Sequence, residues 1–138
     1  MKLLLEIITP TKVILKEEVD EITLPTSTGE ISILPNHVNL FTKIIPGEMI
    51  IKRGNKSDLF AITGGFLEII KNHVNILADH AIYAQDIEVA KVEEAKQRAE
   101  KAMKEKQTEQ DFEQLQDEIR RTVLELKVAR KHKATRTS

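Results

Sequence analysis

The sequence predicts an α+β protein: an all-β first half of antiparallel sandwich or barrel type, followed by two one-sided helices. Three observations predict it. All five glycines (29, 47, 54, 64, 65) and all four prolines (10, 25, 35, 46) precede residue 66. Charge does the opposite, since residues 1–85 hold 18 charged side chains and the shorter 86–138 holds 25. Apolar spacing also changes, from β-branched runs recurring about every 8 to 10 residues to helical steps of three and four after Glu88. The expected division is therefore a β domain over 1–85 and a helical hairpin domain over 86–138 with a basic C-terminal tail.

Taken in order, strands are expected at Leu3 to Thr9, Val13 to Lys16, Val19 to Leu24, Glu30 to Leu34, Leu40 to Lys43, Glu48 to Lys52, Asp58 to Thr63, Phe66 to Ile70 and Val74 to Ala78. Glu30-Ile31-Ser32-Ile33 and Val74-Asn75-Ile76 alternate apolar with polar, as half-buried strands do, and Gly54-Asn55 and Lys71-Asn72 sit where tight hairpin turns belong. Gly64-Gly65 lies between two apolar runs and reads as a bulge or sharp strand bend. With only five aromatic residues, the core must be aliphatic.

In the second half, Val92, Ala95, Ala99 and Ala102 step by 3, 4 and 3, and Phe112, Leu115, Ile119, Val123 and Leu126 by 3, 4, 4 and 3. Each set forms the seam of a helix. Between them, Glu105 to Asp111 carries no Gly or Pro, but Thr108 followed by Asp111 is a capping-box-like start for a second helix. A hairpin and one continuous helix both satisfy these residues, because nothing there forbids helical dihedrals. The first seam is mainly alanine, while each larger side chain of the second is worth about 1.5–3 kcal/mol when fully buried. Ordering backbone costs at least about 1 kcal/mol per residue, so the hairpin is expected to be marginal alone and to be a candidate movable element.

Composition and motifs exclude several functions. The formal charge of −1, from 21 Lys plus Arg against 22 Asp plus Glu, gives no electrostatic grip on nucleic acid. Without cysteine there is no disulfide scaffold and no thiolate metal site. The run Leu3-Leu4-Leu5 breaks at Glu6, too short for a signal peptide or membrane span, so the chain is expected to be soluble where it is made. The four histidines (37, 73, 80, 132) form no i, i+4 pair, and His37, after Leu34-Pro35-Asn36, reads as a loop histidine capping turn carbonyls. Gly64-Gly65 opens no phosphate loop, no Gly-x-Ser-x-Gly is present, and Glu17-Glu18 and Glu93-Glu94 sit in charge-rich segments that read as solvated surface. Nothing points to catalysis.

One charge pattern stands out. Glu105 to Glu118 contains six acids (105, 109, 111, 113, 117, 118) and one base (106), whereas Arg120 to Ser138 contains seven bases (120, 121, 127, 130, 131, 133, 136) and one acid (125). Acids at a helix N-terminus and bases at its C-terminus complement the macrodipole, which accounts for the sign of the pattern. Seven bases exceed that need. Arg120, Lys127 and Lys131 step by 7 and 4 into a stripe beside the apolar seam, suited to an acidic protein surface or to anionic lipid.

The order of segments resembles the epsilon subunit of F-type ATP synthases over essentially the whole chain. The resemblance is carried by Leu24-Pro25-Thr26-x-x-Gly29-Glu30-x-x-Ile33-Leu34-Pro35-Asn36-His37, by Gly64-Gly65-Phe66-x-Glu68, by Val74-x-Ile76-Leu77-Ala78-Asp79-x-Ala81, and by Asp86-Ile87-Glu88 opening a charged helical hairpin. It implies a flattened ten-stranded antiparallel β-sandwich followed by an antiparallel two-helix hairpin, in a non-catalytic rotor subunit of the central stalk. The implied partners are the gamma subunit, the ring of c subunits and the catalytic alpha and beta subunits. The implied setting is the cytoplasmic side of a bacterial inner membrane, peripheral to the lipid through the complex. The loop Glu30 to Thr42, with Glu30, Pro35, His37, Leu40 and Thr42, matches the stretch that faces the ring and gamma. Arg120, Arg121, Lys127 and Arg130 match the part of the second helix that meets acidic segments of the head and impedes ATP hydrolysis.

Two departures carry expectations of their own. Where many relatives read His-Ala-Pro-Leu, this chain reads His37-Val38-Asn39-Leu40, so the loop lacks proline's φ restraint. ATP-sensing members carry Ile-Asp-x-x-Arg-Ala, and here the positions read Ile87-Glu88-Val89-Ala90-Lys91-Val92. Glu88 and Lys91 keep the charges but change reach and fork geometry, so regulatory ATP binding is expected to be weak and no other cofactor is implied. Two other readings remain at this level: a jelly-roll metalloenzyme with a helical tail, and a helical-hairpin adaptor unrelated to ATP synthase that associates through a coiled coil.

Overall fold

The structure, a computed structural model, describes residues 2–105 and 107–137, with the side chains of 134–137 outside the description. Lys106 and Arg136, two of the charges counted above, therefore fall outside the described side chains. Contacts divide the chain into two compact units, Met1–Tyr83 and Ala84–Ser138.

The first unit is built from ten strands: β1 Leu3–Ile8, β2 Val13–Val19, β3 Glu21–Thr26, β4 Gly29–Ile33, β5 Leu40–Ile44, β6 Gly47–Arg53, β7 Lys56–Ile62, β8 Gly65–Ile70, β9 His73–Ala78 and β10 Ala81–Tyr83. They hydrogen-bond in the order β10-β7-β6-β3-β5-β8-β9-β1-β2, with β4 on β3. Alternation sends Leu3, Leu5 and Ile7 of β1, Ile22 and Leu24 of β3, Leu67 and Ile69 of β8, and Val74 and Ile76 of β9 into one core, all at 0% exposure. Phe60 is its only fully buried aromatic ring among the described residues, and it packs on Tyr83 at a centroid distance of 4.0 Å.

One pairing departs from the expected antiparallel pattern: β1 and β9 run parallel, from Leu4 beside His73 to Ile8 beside Leu77. Most of the domain lies between these strands in sequence, so the chain has room for the crossover that a parallel pair requires. Strand limits also differ from expectation, most clearly at β2 and β3, and β10 is added to the nine strands read from the residues. β2 continues past Lys16 through Glu17 and Glu18 to Val19, because on an edge strand Lys16 and Glu18 turn to solvent while Glu17, on the other parity, finds a charged partner. Glu17 of β2 and Asp58 of β7 both ion-pair with Arg53 of β6, and the Glu17 pair ties the β2 edge to the β6–β7 hairpin. β3 runs through Pro25 to Thr26, where it changes partner from β6 at Thr23 to β5 at Thr26. β10, only three residues long, has no periodicity to read and forms by pairing with β7.

Gly65 explains the glycine pair. At φ 140° it faces Ala78 across the β8–β9 ladder, and a Cβ there would fall 2.0 Å from the Leu77 carbonyl oxygen. The neighbouring backbone approaches too closely for any side chain.

The second unit opens with a short 3-10 turn, Ala84–Asp86, then α1 Val89–Met103 and α2 Glu109–Thr137. Both ends of the interhelical break are capped. Gln107 Nε2 donates to the Met103 carbonyl at 3.2 Å, and the Asp111 N–H donates to Thr108 Oγ1 at 3.1 Å. These two side chains decide the question the seam left open, in favour of a hairpin. The seam on α2 follows the expected line at Leu115, Ile119 and Leu126 and departs from it at Phe112 and Val123. Phe112 and Val123 are exposed, while Thr122, Leu126, Val128 and Ala129 are buried, opposite an α1 whose buried residue is Ala99. Two successive steps of four carry a helix 80° past its starting face, so Val123 cannot share a line with Leu115, whereas Thr122 can. Small residues on both helices permit the close approach.

Candidate functional site

Three regions carry the expected site residues. The first is the loop between β4 and β5. Leu34-Pro35-Asn36-His37 closes as a turn, the His37 N–H donating to the Leu34 carbonyl at 3.2 Å with Asn36 at φ 69°. Proline second and a left-handed asparagine third is the pattern of a type II turn. His37 Nδ1 lies 2.8 Å from the Val38 carbonyl, so Nδ1 carries the proton and the ring caps a loop carbonyl. Two further bonds restrain the segment without proline: the Asn36 N–H donates to Asn72 Oδ1 at 2.8 Å, and the Lys71 N–H to Asn39 Oδ1 at 2.9 Å.

Of the residues expected to meet partners here, Glu30 is exposed and Pro35 and His37 are half-buried in the turn. Leu40 and Thr42 point the other way. Leu40 packs against the core, and strand alternation gives Thr42 the same inward parity. The outward residues of β5 are Phe41, 65% exposed, and Lys43. Phe41 stacks on Phe66 of β8 at 5.7 Å, and Phe66 pairs with the exposed Leu77 of β9. Three large apolar side chains on the outer face of adjacent strands form an exposed apolar patch that the residue pattern alone did not isolate. A signal was present: Gly65–Ile70 reads GFLEII, apolar on both parities apart from Glu68, more than a strand with one wet face needs.

The second region is the start of α1. Ile87 is buried and lines a cavity of about 490 Å³ with Val89, His132 and Lys133. Glu88 occupies the N-cap but makes no side-chain cap bond. Its longer side chain instead places the carboxylate 2.8 Å from Lys91 Nζ, and this hydrogen bond, helped by the opposite charge, raises the Lys91 pKa. Both side chains are exposed and lie outside that cavity. A neighbouring groove of about 480 Å³ sets Lys96 and Arg130 against Glu93 and Glu100, so its cations are matched by carboxylates.

The third region is the basic half of α2. Arg120, Lys127 and Lys131 are exposed on the face away from Thr122, Glu125 and Ala129, opposite the seam rather than beside it as expected. The other two cations of the expected set, Arg121 and Arg130, lie off that face. Arg121 Nε is 3.8 Å from the buried Glu125 carboxylate, and Arg130 Nε donates to the Leu126 carbonyl at 3.3 Å. Arg120 is 3.7 Å from Asp117. Within the expected four-residue set, Arg120 and Lys127 lie on the outward face, while Arg120, Arg121 and Arg130 each find a partner along the helix. Among the described residues no group of three His, Cys, Asp or Glu could hold a metal ion, and no helix is long and apolar enough to cross a membrane.

Comparison with known proteins matches residues 2–84 to the beta-sandwich domain of the ATP synthase delta/epsilon chain and residues 85–130 to its long alpha-helix domain. An ATP synthase epsilon chain of Herpetosiphon aurantiacus is 39% identical over 130 residues, covering 94% of this chain and 96% of the relative. One from Chloroflexus aggregans is 41% identical over 137 residues, covering 99% and 98%. A chain in the mitochondrial ATP synthase OSCP/F1/c-ring structure of Euglena gracilis aligns with a TM-score of 0.70 at 26% identity, over 86% of this chain and 75% of that one. A chain of the central stalk and c-ring of Tetrahymena thermophila ATP synthase shares the fold, with a TM-score of 0.65 at 18% identity over 94% and 97%.

Proposed function

The chain belongs to the ATP synthase delta/epsilon family, matching both of its domains in order, and from that premise we propose that it is a non-catalytic rotor subunit that couples ion flow through the ring to ATP synthesis and restrains ATP hydrolysis. The sandwich seats on gamma and the ring, through the Phe41–Phe66–Leu77 face and the Glu30-to-Thr42 loop. The basic helix acts on acidic surfaces of the catalytic alpha and beta subunits. The protein works at the cytoplasmic face of a bacterial cell membrane, attached through the complex.

The observation that carries this reading is the exposed apolar face. A domain with eighteen buried hydrophobic side chains in its core, among the described residues, leaves Phe41 and Phe66 stacked at the surface, 65% and 47% exposed, and such a patch is costly unless a partner covers it. An outward cationic stripe on the second helix adds the complementary feature for acidic partners. ATP binding at the start of α1 is weak in this account, because Lys91 is already paired with Glu88 and the adjoining groove is balanced in charge. Purification of the tagged chain from native membranes tests the proposal: gamma, c, alpha and beta subunits should co-elute. Recovery of the chain alone, or only as a self-associated helical adaptor, would refute it.

A further inference from the structure

The loop from Leu34 to Asn39 and the β8–β9 turn are 32 to 36 residues apart in sequence, yet each lends the other one asparagine oxygen. Asn72 Oδ1 accepts from the Asn36 N–H and Asn39 Oδ1 accepts from the Lys71 N–H, at 2.8 and 2.9 Å. The two captured amides belong to Asn36 and Lys71, which are the non-glycine residues at positive φ among the described residues, at 69° and 56°. Left-handed backbone is unfavourable for a lysine, so that turn is held by something beyond its own preference. The anchor on the far side is firm: the Leu4 N–H donates to the Asn72 carbonyl at 2.8 Å, fixing the turn to β1, a strand paired on both sides by β9 and β2. On the loop side, the same clasp fixes a segment that exposes Leu34 and Val38 at 53% and 76%.

We infer that Asn39 and Asn72 are positioning residues which hold the Leu34-to-Asn39 loop in its docking conformation, so that Leu34, His37 and Val38 meet the partner without first being ordered. The inference rests on the reading of this loop as ring-facing. Ordering a loop on binding is unfavourable, and pre-setting it in the free subunit removes that penalty. What the clasp needs is a short side chain ending in an acceptor oxygen. Aspartate supplies one at the same reach; alanine supplies none.

The test uses the full chain with Asn39→Ala, Asn72→Ala, the double alanine variant and the matching aspartate variants. Amide exchange is measured in the isolated subunit, and ion transport per ATP hydrolysed in membrane vesicles whose complex has been reassembled with each variant. Asn72→Ala should speed exchange at the Asn36 amide, and Asn39→Ala at the Lys71 amide, by roughly two- to tenfold each. The double alanine variant should lower transport per ATP, and the aspartate variants should stay near the unmodified protein in both measurements. Unchanged exchange in the alanine variants would overturn the clasp. His37→Ala and Val38→Ser, with the clasp intact, separate its failure from that of the underlying reading. If these two lower transport while the double alanine variant does not, the loop docks without help from the clasp and the inference is overturned. If neither set lowers transport, the ring-facing reading has failed and takes the inference with it.

Discussion

Gly65→Ala should be among the most damaging single-methyl changes in the sandwich. The backbone there is at φ 140°, a region that L residues rarely adopt, and the new Cβ would lie 2.0 Å from the Leu77 carbonyl oxygen and 2.9 Å from Ala78 Cα. Both atoms are backbone of β9. They cannot retreat without opening the Gly65–Ala78 and Phe66–Leu77 pairs on one side or the parallel β1 ladder on the other. Strain at such a dihedral costs about 1–3 kcal/mol and forced overpacking about 1–3 more, so the loss should be about 2–6 kcal/mol. Against a typical stability of about 5–15 kcal/mol, that is a large share. The chain's single tyrosine, Tyr83, sits on Phe60 in the same unit, so denaturant unfolding followed by its near-ultraviolet signal reports on the sandwich rather than the helices. Gly29→Ala is the control, with φ 120° but nothing within 4 Å of its Cβ, so it carries the strain alone. A Gly65→Ala loss no larger than that of Gly29→Ala would refute the close-approach argument.

Three more outcomes follow from the site geometry. Replacing Phe41 and Phe66 together by Ser should change the isolated subunit's unfolding free energy by no more than about 1.5 kcal/mol, since an exposed ring pair contributes little beyond that, while sharply weakening its incorporation into the rotor; co-elution with gamma checks it. ATP binding measured by calorimetry should be no tighter than the high micromolar to millimolar range, about −4 to −6 kcal/mol, and Glu88→Asp with Lys91→Arg should strengthen it. Changing Arg120, Arg121, Lys127 and Arg130 to Ala should raise ATP hydrolysis by the assembled enzyme, with Arg120 and Lys127 giving most of the effect because they face outward. Rim pairs are worth about 0.2–1 kcal/mol each, so the four together should shift the brake by about tenfold.

Much of the fold was legible because alternation and turn chemistry are local. Leu3, Leu5 and Ile7 announce β1 by themselves, and Thr108 with Asp111 announces the start of α2 before any tertiary contact is known. What escaped depends on contacts made elsewhere. β10 exists because Ala81 to Tyr83 find β7, and the parallel β1–β9 pair joins segments that carry no sequence mark of each other. The α2 seam was misread at Phe112 and Val123: helical geometry puts Thr122, not Val123, in line with Leu115, although Thr122 looks less like a core residue. At the site, the same alternation that identifies β5 also assigns Leu40 and Thr42 inward and Phe41 outward. The asparagine clasp was invisible, since Asn39 and Asn72 meet only once the sandwich has formed.

The central claim is that one unit seats the subunit and the other restrains hydrolysis. Its most direct test is the ATP hydrolysis rate of the assembled enzyme carrying either the full chain or residues 1–83, measured alongside subunit composition. The shortened chain should still co-assemble with gamma and the ring, because it contains the whole sandwich core and the exposed Phe41–Phe66 face, and hydrolysis should rise. Equal rates from two fully assembled enzymes would contradict the account.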